Sequence, residues 1–306
     1  MSEIAFIYLT HHDPELLKRF ALYVEGGGRV FAHIDGKIDD SPFIDACEGI
    51  ENVEFVPSRC STYWGDFSYV SAEVETMRRA LSLTDDSVDR FVVIQGSDYP
   101  IVPFNRILSF FDSARGVNFI NACTVEDCDN REMNKYRITH DLKDRSFVGR
   151  IARRVKLGIA SFQPKLVWRK PPYVRIDGDV DMTLFSGWAQ FSVTREVVEF
   201  FVSFHDTHPE FNEYFESVYA ADESYFHTIF YNSRFAESAS MPPIHAREGQ
   251  LLLNNTYFEY PDQVREWTLP EEHTELLKSG KLFFRKVDSE RGRGLLDDIH
   301  LRNKVG

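Results

Sequence analysis

The sequence predicts an α/β fold in which helices flank a sheet, because short apolar runs alternate with segments of helical spacing. Residues 4–9 (IAFIYL) form one such run. Apolar residues then recur three and four positions apart from Leu17 to Val24, which is typical of a helix with one buried face. Residues 29–34 (RVFAHI) form the next run. A strand, a helix and a second strand in this order predict a right-handed parallel unit.

Local signals support each of these elements. Asp13 can cap the first helix, Pro14 suits its first position, and three glycines at 26–28 can end it. The same patterns predict five further elements across the first 121 residues. These are a strand at 53–56, a helix at 68–81, a strand at 90–95, a helix from about Pro103 and a strand at 117–121.

The later chain is less regular. We expect a short helix near 148–160, a strand at 190–193, helices at 195–204, 222–231 and 271–279, and a strand at 282–286. One domain over 1–306 is predicted, with a ligand-binding α/β half at 1–122, a basic arm or insertion at 143–175 and a second half at 176–306. Open α/β sheets bind ligands at the carboxyl ends of their strands, where this sequence places polar loops.

The net charge of the chain limits which classes of binding partner are expected. The chain has 35 Lys and Arg against 48 Asp and Glu, a net charge of -13, so duplex nucleic acid is not expected as a partner. The arm at 143–175 nevertheless contains ten basic residues and one acid, which leaves -22 on the rest. Four irregularly spaced cysteines, no signal-peptide pattern and no long apolar run favour a cytoplasmic protein.

One strand end suggests how a phosphate-bearing ligand could be held. Nucleotide-sugar enzymes often bind a diphosphate through a metal on Asp-x-Asp at a central strand end, but residues 95–98 read Gln-Gly-Ser-Asp, with Asp98 as the one carboxylate. The charge of a diphosphate would then be neutralised by Arg or Lys. A simple turn at Asp98-Tyr99-Pro100 is the alternative.

Other candidate metal sites are weak. Asp177, Asp179 and Asp181 resemble part of a calcium loop, but Met182 and Trp188 occupy the positions that need Gly and Glu. A calcium-dependent carbohydrate binder using these acids stays an alternative. His11 and His12 are adjacent and therefore point in different directions. No metal or other cofactor is expected.

Two further positions allow both a structural and a catalytic interpretation. Glu223 lies at the start of a predicted helix, where a carboxylate can compensate the helix dipole or act as a general base. Arg285 and Lys286 follow an apolar run, where they form either a solvated face or a phosphate-binding pair.

Five motifs in collinear order resemble the family of core-2/I-branching β-1,6-N-acetylglucosaminyltransferases and peptide O-xylosyltransferases. They are FAHIDGK at 31–37, YWG at 63–65, QGSDYPI at 95–101, DESYFHTI at 222–229 with Asn232-Ser233, and LFFRKVD at 282–288. The resemblance implies a GT-A-type fold, with a Rossmann-like mixed sheet, and inverting transfer from a UDP-sugar without a metal ion. A bacterial-type soluble member is expected.

The resemblance also implies roles for single residues. Glu223 resembles the family's catalytic base, and Lys286 with Arg285 resembles the pair that neutralises the leaving UDP. Asp35 matches the uridine end of the donor site, and three residues fall in motifs that line the donor cleft: Trp64, Gly65 and Asp98. Trp188 and Gln190 are weaker acceptor candidates, since Trp188 is displaced by two positions from the family pattern.

The resulting hypothesis is transfer of GlcNAc from UDP-GlcNAc to a glycan hydroxyl in β linkage, in surface polysaccharide synthesis. A xylosyltransferase using UDP-xylose and a catalytically idle nucleotide-sugar-binding module are the alternatives. The acceptor is expected to be a glycan or lipid-linked glycan. The arm at 143–175 is a candidate for peripheral contact with the inner face of the cell membrane.

Overall fold

A computed structural model describes residues 3–125, 136–138, 146–162, 169–245, 249–260 and 263–304. The strands of this part of the chain are β1 Glu3–Thr10, β2 Gly28–Ile34, β3 Val53–Phe55, β4 Val88–Gln95, β5 Asp98–Pro100, β6 Ala122–Thr124, β7 Tyr173–Ile176, β8 Val180–Thr183, β9 Phe185–Gly187, β10 Ser192–Thr194, β11 Thr256–Tyr257 and β12 Phe283–Arg285. The α-helices are α1 Pro14–Tyr23, α2 Ser41–Ala46, α3 Ser68–Leu83, α4 Phe104–Ser113, α5 Phe147–Phe162, α6 Arg195–Thr207, α7 Pro209–Glu216, α8 Tyr225–Tyr231, α9 Glu272–Lys278 and α10 Arg293–Lys304. Short 3-10 helices cover Ala221–Glu223 and Arg234–Ser238.

The central sheet has five strands in the order β10-β4-β1-β2-β3. The pairs β1–β2, β1–β4 and β2–β3 are parallel, and β10 is antiparallel to β4. The predicted α/β class with a mixed sheet and flanking helices is therefore confirmed. Asp13 caps α1 as expected, because its Oδ1 accepts from the Leu16 N–H at 3.0 Å.

Strand β1 divides the interior into two cores because successive side chains point to opposite faces of a sheet. Ile4, Phe6 and Tyr8 lie in a core with α1, while Ala5 and Ile7 lie in a core with α3. Helix α10, which the sequence analysis did not predict, covers the first core with Leu295, Leu296 and Ile299.

One predicted element is wrong, and another begins later than predicted. Residues 117–121 do not form a strand: Asn118 bonds Ser238, Phe119 bonds Ser192, and regular pairing starts only with β6 against β9. The predicted helix over 222–231 begins instead at Tyr225. Ser224, with φ -138°, separates the 3-10 turn from α8, so Glu223 does not lie at the start of an α-helix.

The basic arm is described in part. Its residues 143–145 and 163–168 lie outside the described ranges, while α5 is longer than predicted and β7 and β8 form a hairpin. Within the described ranges, no helix combines the length and the apolar composition needed to span a bilayer. Cys47 and Cys60 are free thiols, and Cys128 falls outside the described ranges.

Candidate active site

The carboxyl ends of three central strands meet at one edge of the sheet. The Asp35 N–H after β2 donates to the Thr10 carbonyl of β1 at 2.9 Å, and the Gly96 N–H after β4 donates to the Leu9 carbonyl at 2.8 Å. Glycine is required at 96, because a Cβ there would stand 2.1 Å from the Thr10 Oγ1. The sheet thus brings the motifs around Asp35 and Asp98 together, as its parallel order dictates.

Asp35 braces two loops at this edge. Its Oδ1 accepts from the Lys37 and Thr62 N–H groups at 3.0 and 3.2 Å. Its Oδ2 accepts from the Thr62 hydroxyl at 2.9 Å and from Lys37 Nζ at 2.7 Å. Burial raises the pKa of Asp35, but the bonds from Lys37 and Thr62 outweigh it and hold the pKa below its ordinary value. These four bonds use the lone pairs of the carboxylate, so Asp35 acts here as an organiser of the loops.

Asp98 and Arg285, distant in sequence, form a buried ion pair. Strand β5 is antiparallel to β12 with Asp98 opposite Arg285, which excludes the simple-turn alternative for Asp98-Tyr99-Pro100. Arg285 Nη1 lies 2.9 Å from Asp98 Oδ1, and the Gln95 N–H donates to Oδ2 at 2.8 Å. Burial raises the pKa of the Asp98 carboxyl, and the Arg285 cation opposes that rise. Because Asp98 is 0% exposed, it reaches a ligand only through the guanidinium that it orients.

Lys286 follows directly on β12, after a cis peptide bond from Arg285. Its Nζ lies 3.3 Å from Glu266 Oε1. Arg291 binds the same carboxylate through both of its terminal nitrogens, at 2.5 and 3.2 Å. Arg291 alone can pair with the Glu266 carboxylate. Lys286 can therefore move from Glu266 to a phosphate oxygen while Glu266 keeps a cationic partner.

The Trp64-Gly65 loop meets the chain just before Glu223. The Ala220 N–H donates to the Gly65 carbonyl at 2.9 Å, and the Trp64 and Tyr219 rings pack edge to face at 5.3 Å. Gly65 has φ +73°, and a Cβ there would lie 2.6 Å from the Tyr219 ring. Trp64 is 79% exposed, which leaves its indole free to cover a ligand.

A Gly65→Ala substitution is expected to displace this loop, because the left-handed backbone costs about 1–3 kcal/mol and the Tyr219 ring must also move. Gly49→Ala is the matched control: Gly49 has φ +78° with open space around its Cβ position. Chemical denaturation of both variants measures the difference. Equal losses of stability would show that the approach of Tyr219 is unimportant.

Glu223 is half-buried in the 3-10 turn and accepts a short hydrogen bond from the hydroxyl of Tyr136, which is itself fully buried. Tyr136 was not singled out from the sequence, because 87 residues separate the pair and no motif marks it. The bond fixes the orientation of the carboxylate that the sequence analysis assigned as the base.

A second carboxylate lies beneath this turn. Glu73 on α3 is 1% exposed, and neither of its oxygens has a hydrogen-bond partner. Burial, and then the charge of Asp222, raise the pKa of Glu73 well above its ordinary value. Tyr69 lies on the same helix near Asp222 and Thr62, and burial raises its pKa. Helix α3 therefore links the turn at 221–223 to the Asp35 loops.

His11, which the sequence suggests only as a weak metal-ligand candidate, lies among the same groups. Partial burial lowers its pKa, and Asp35, Lys37, Arg285 and Lys286 are the charged groups that act on it. His12 Nε2 lies 3.2 Å from the Ser97 hydroxyl. Both histidines follow the end of β1, the one signal in the sequence that could have placed them at this edge.

The remaining candidates lie apart from these contacts. The Trp188 Nε1 donates to the Gly249 carbonyl at 3.0 Å, and the indole packs on Phe258. Gln190 is buried, and its backbone carbonyl accepts from the Asn254 side chain at 2.7 Å. Their acceptor role stays a prediction.

The acids of the proposed calcium loop are spread along the β7–β8 hairpin. Asp181 forms an ion pair with Arg175 at 2.7 Å. Within the described part of the chain, no group of three or more His, Cys, Asp or Glu residues has a geometry suited to a metal ion.

Comparison with known families identifies the family to which the chain belongs. The family model described as "Core-2/I-Branching enzyme" matches residues 4–242. The chain belongs to the Core-2/I-branching enzyme family. The match includes Asp35, Gly65, Asp98 and Glu223 and confirms the resemblance predicted from the five motifs. The Arg285-Lys286 pair lies beyond the matched residues, so its assignment depends on the β5–β12 pairing.

Curated relatives of this Core-2/I-branching family member include xylosyltransferases. Human xylosyltransferase 1 is 25% identical over 235 residues, which cover 75% of this chain and 22% of the relative. Human xylosyltransferase 2 is 24% identical over 211 residues, covering 68% and 22%. The chain thus spans about a fifth of these relatives. The crystal structure of mouse xyloside xylosyltransferase 1 aligns over 92% of this chain and 96% of its own, with 8% identity and a TM-score of 0.34.

Proposed function

We propose that this Core-2/I-branching family member is an inverting glycosyltransferase that uses a UDP-sugar donor. The observation that carries the proposal is the position of Glu223, held by Tyr136 in a turn that touches the Gly65 loop. A carboxylate held in a fixed orientation beside the Trp64-Gly65 loop is suited to take a proton from an acceptor hydroxyl.

The proposed reaction is a single displacement at the anomeric carbon of the donor sugar. The acceptor O–H bond breaks, its proton passes to Glu223, and the oxygen forms a bond to the anomeric carbon. On the opposite face, the bond from that carbon to the UDP oxygen breaks, and UDP leaves with the electron pair. Lys286 and the Asp98-oriented Arg285 stabilise the charge that grows on the diphosphate, so no metal ion is included in the proposal.

The donor sugar has two candidates. UDP-GlcNAc follows from the resemblance of the five motifs to branching N-acetylglucosaminyltransferases, whereas the xylosyltransferase relatives favour UDP-xylose. The acceptor in either case is a hydroxyl of a glycan or lipid-linked glycan, and surface polysaccharide synthesis in the cytoplasm is the proposed setting. An idle nucleotide-sugar-binding module would keep donor binding without transfer.

A thermal-shift screen of UDP-xylose, UDP-GlcNAc, UDP-glucose and GDP-sugars tests the donor. Stabilisation by one UDP-sugar is expected to survive EDTA. Lys286→Ala should weaken binding of that donor about 10- to 150-fold, the equivalent of one charged hydrogen bond of about 1.5–3 kcal/mol.

Lys278→Ala is the matched control, because it removes the same charge from an exposed position on α9. Binding that depends on a divalent ion, or that Lys286→Ala leaves unchanged, would contradict the metal-free phosphate site.

A further inference from the structure

Helix α5 in the basic arm presents an apolar face to solvent. Residues spaced four apart lie on one side of a helix, and the residues at 147, 151, 155 and 159 follow that spacing. With Val148, they are the large exposed apolar residues of this helix among those whose burial is described: Phe147 70%, Val148 73%, Ile151 45%, Val155 54% and Ile159 42% exposed. A helix of a globular protein ordinarily buries such a face, so this one has no covering layer within the described residues.

The charges of α5 are of one sign. Its sequence contains Arg150, Arg153, Arg154 and Lys156 and no acid. On a helical wheel, Arg154 and Lys156 fall on either side of the apolar face, and the positions of Arg150 and Arg153 fall opposite it. An apolar face bordered by cations is the arrangement of helices that lie in the interface of an anionic bilayer.

The charge on the rest of the molecule also favours an anionic bilayer as the partner of α5. Outside 143–175, the chain has a net charge of -22 and is repelled by an anionic surface, so α5 also fixes which side of the protein approaches it. A second copy of the chain fits less well. Packing two α5 helices about a twofold axis would bring four cations to the border of the shared face, Arg154 and Lys156 from each copy.

The arm is anchored beside the candidate active site. The chain segments that precede and follow α5 pair with each other: Ile138 forms a β-bridge with Arg169, and the Arg137 Nε donates to the Lys170 carbonyl at 2.7 Å. Lys170 Nζ donates to the Ser217 hydroxyl at 2.8 Å, shortly before the 3-10 turn. Tyr136, which binds Glu223, immediately precedes this junction. The chain that carries α5 is therefore joined to the body of the protein close to Glu223.

We propose that α5 binds the surface of an anionic lipid bilayer, with its apolar face in the interface and its cations at the headgroups. The inference goes beyond the proposed function and does not need a donor. Lipid binding would bring the protein to an acceptor held in the membrane, and that consequence alone depends on glycosyl transfer.

Co-sedimentation of the full chain with vesicles tests the proposal. Binding is expected to equimolar phosphatidylcholine and phosphatidylglycerol, to fall with added salt, and to be weak for phosphatidylcholine alone. Ile151→Asp and Val155→Asp should each lower the affinity about tenfold or more, because each removes about 1.5–3 kcal/mol of apolar burial. Arg154→Glu should lower it as well.

Two controls alter similar side chains elsewhere: Leu301→Asp, at a 67% exposed position on α10, and Arg234→Glu, on the 3-10 helix at 234–238. Neither should change vesicle binding. No binding to anionic vesicles, or binding that the α5 variants leave intact, would overturn the proposal. Self-association that is lost in Val155→Asp would assign the face to a second copy instead. A UDP-sugar thermal shift on each variant separately reports the donor site.

Discussion

Replacing Glu223 with glutamine is expected to lower kcat by about 10²- to 10⁴-fold, the range that a positioned general base contributes. The amide has the shape of the carboxylate and its oxygen can still accept from the Tyr136 hydroxyl, so the local structure should persist. Donor affinity should be nearly unchanged, because no donor contact is assigned to this side chain. Steady-state kinetics and the donor thermal shift measure the two quantities separately.

The pH profile adds a second readout for Glu223. A general base must be ionised, so the fall of kcat/KM at low pH that reports its protonation should disappear in Glu223→Gln. Glu237→Gln is the matched control, since Glu237 is exposed in the other 3-10 helix and should leave both profiles unchanged. Slow transfer that Glu223→Gln does not alter would support the idle-module alternative.

Replacing Asp98 with alanine is expected to cost about 3–5 kcal/mol of unfolding free energy, because it leaves the Arg285 charge without its buried partner. The same variant should weaken donor binding, since the guanidinium loses the group that orients it. Asp98→Asn keeps the volume and one acceptor, and it separates the loss of charge from the loss of packing. Urea denaturation gives the stability of each variant.

An exposed ion pair of equally good geometry provides the comparison for Asp98. Arg78 binds both oxygens of Asp206 at 2.9 Å, with the two side chains 41% and 45% exposed. Asp206→Ala should cost about 0–1 kcal/mol, because water screens that pair. Similar losses in Asp98→Ala and Asp206→Ala would show that burial does not set the strength of the Asp98 pair.

The sequence predicts those parts of the fold that follow from local periodicity. Helices α1, with its Asp13 cap, and α3 have apolar residues at helical spacing, and the apolar run of β1 is short enough to favour a buried strand. Residues 117–121 have a strand-like composition, yet their backbone bonds go to Ser192 and Ser238. Those partners are far away in sequence, so no local pattern could reveal them.

The candidate site likewise contains residues that the sequence motifs predict and residues that only the structure reveals. Motif order identified Glu223, Asp98 and Arg285 separately, but the pairing of β5 with β12 makes Asp98 and Arg285 one unit. Tyr136 and Glu73 could not be predicted from the sequence, because neither lies in a recognisable motif and only the folded chain brings them to the turn at 221–223. The exposure of the α5 apolar face also requires the structure, since sequence periodicity alone implies that such a face is buried.

The position of β12 has a consequence for synthesis on the ribosome. Phe283 and Phe284 of β12, with Leu295 and Ile299 of α10, fill the same core as Phe6 of β1. During translation, the apolar side of β1 that faces this core stays incompletely covered until residues 283–299 have left the exit tunnel. The nascent N-terminal strands are therefore exposed to chaperones, and to mispairing with neighbouring chains, until that later segment emerges.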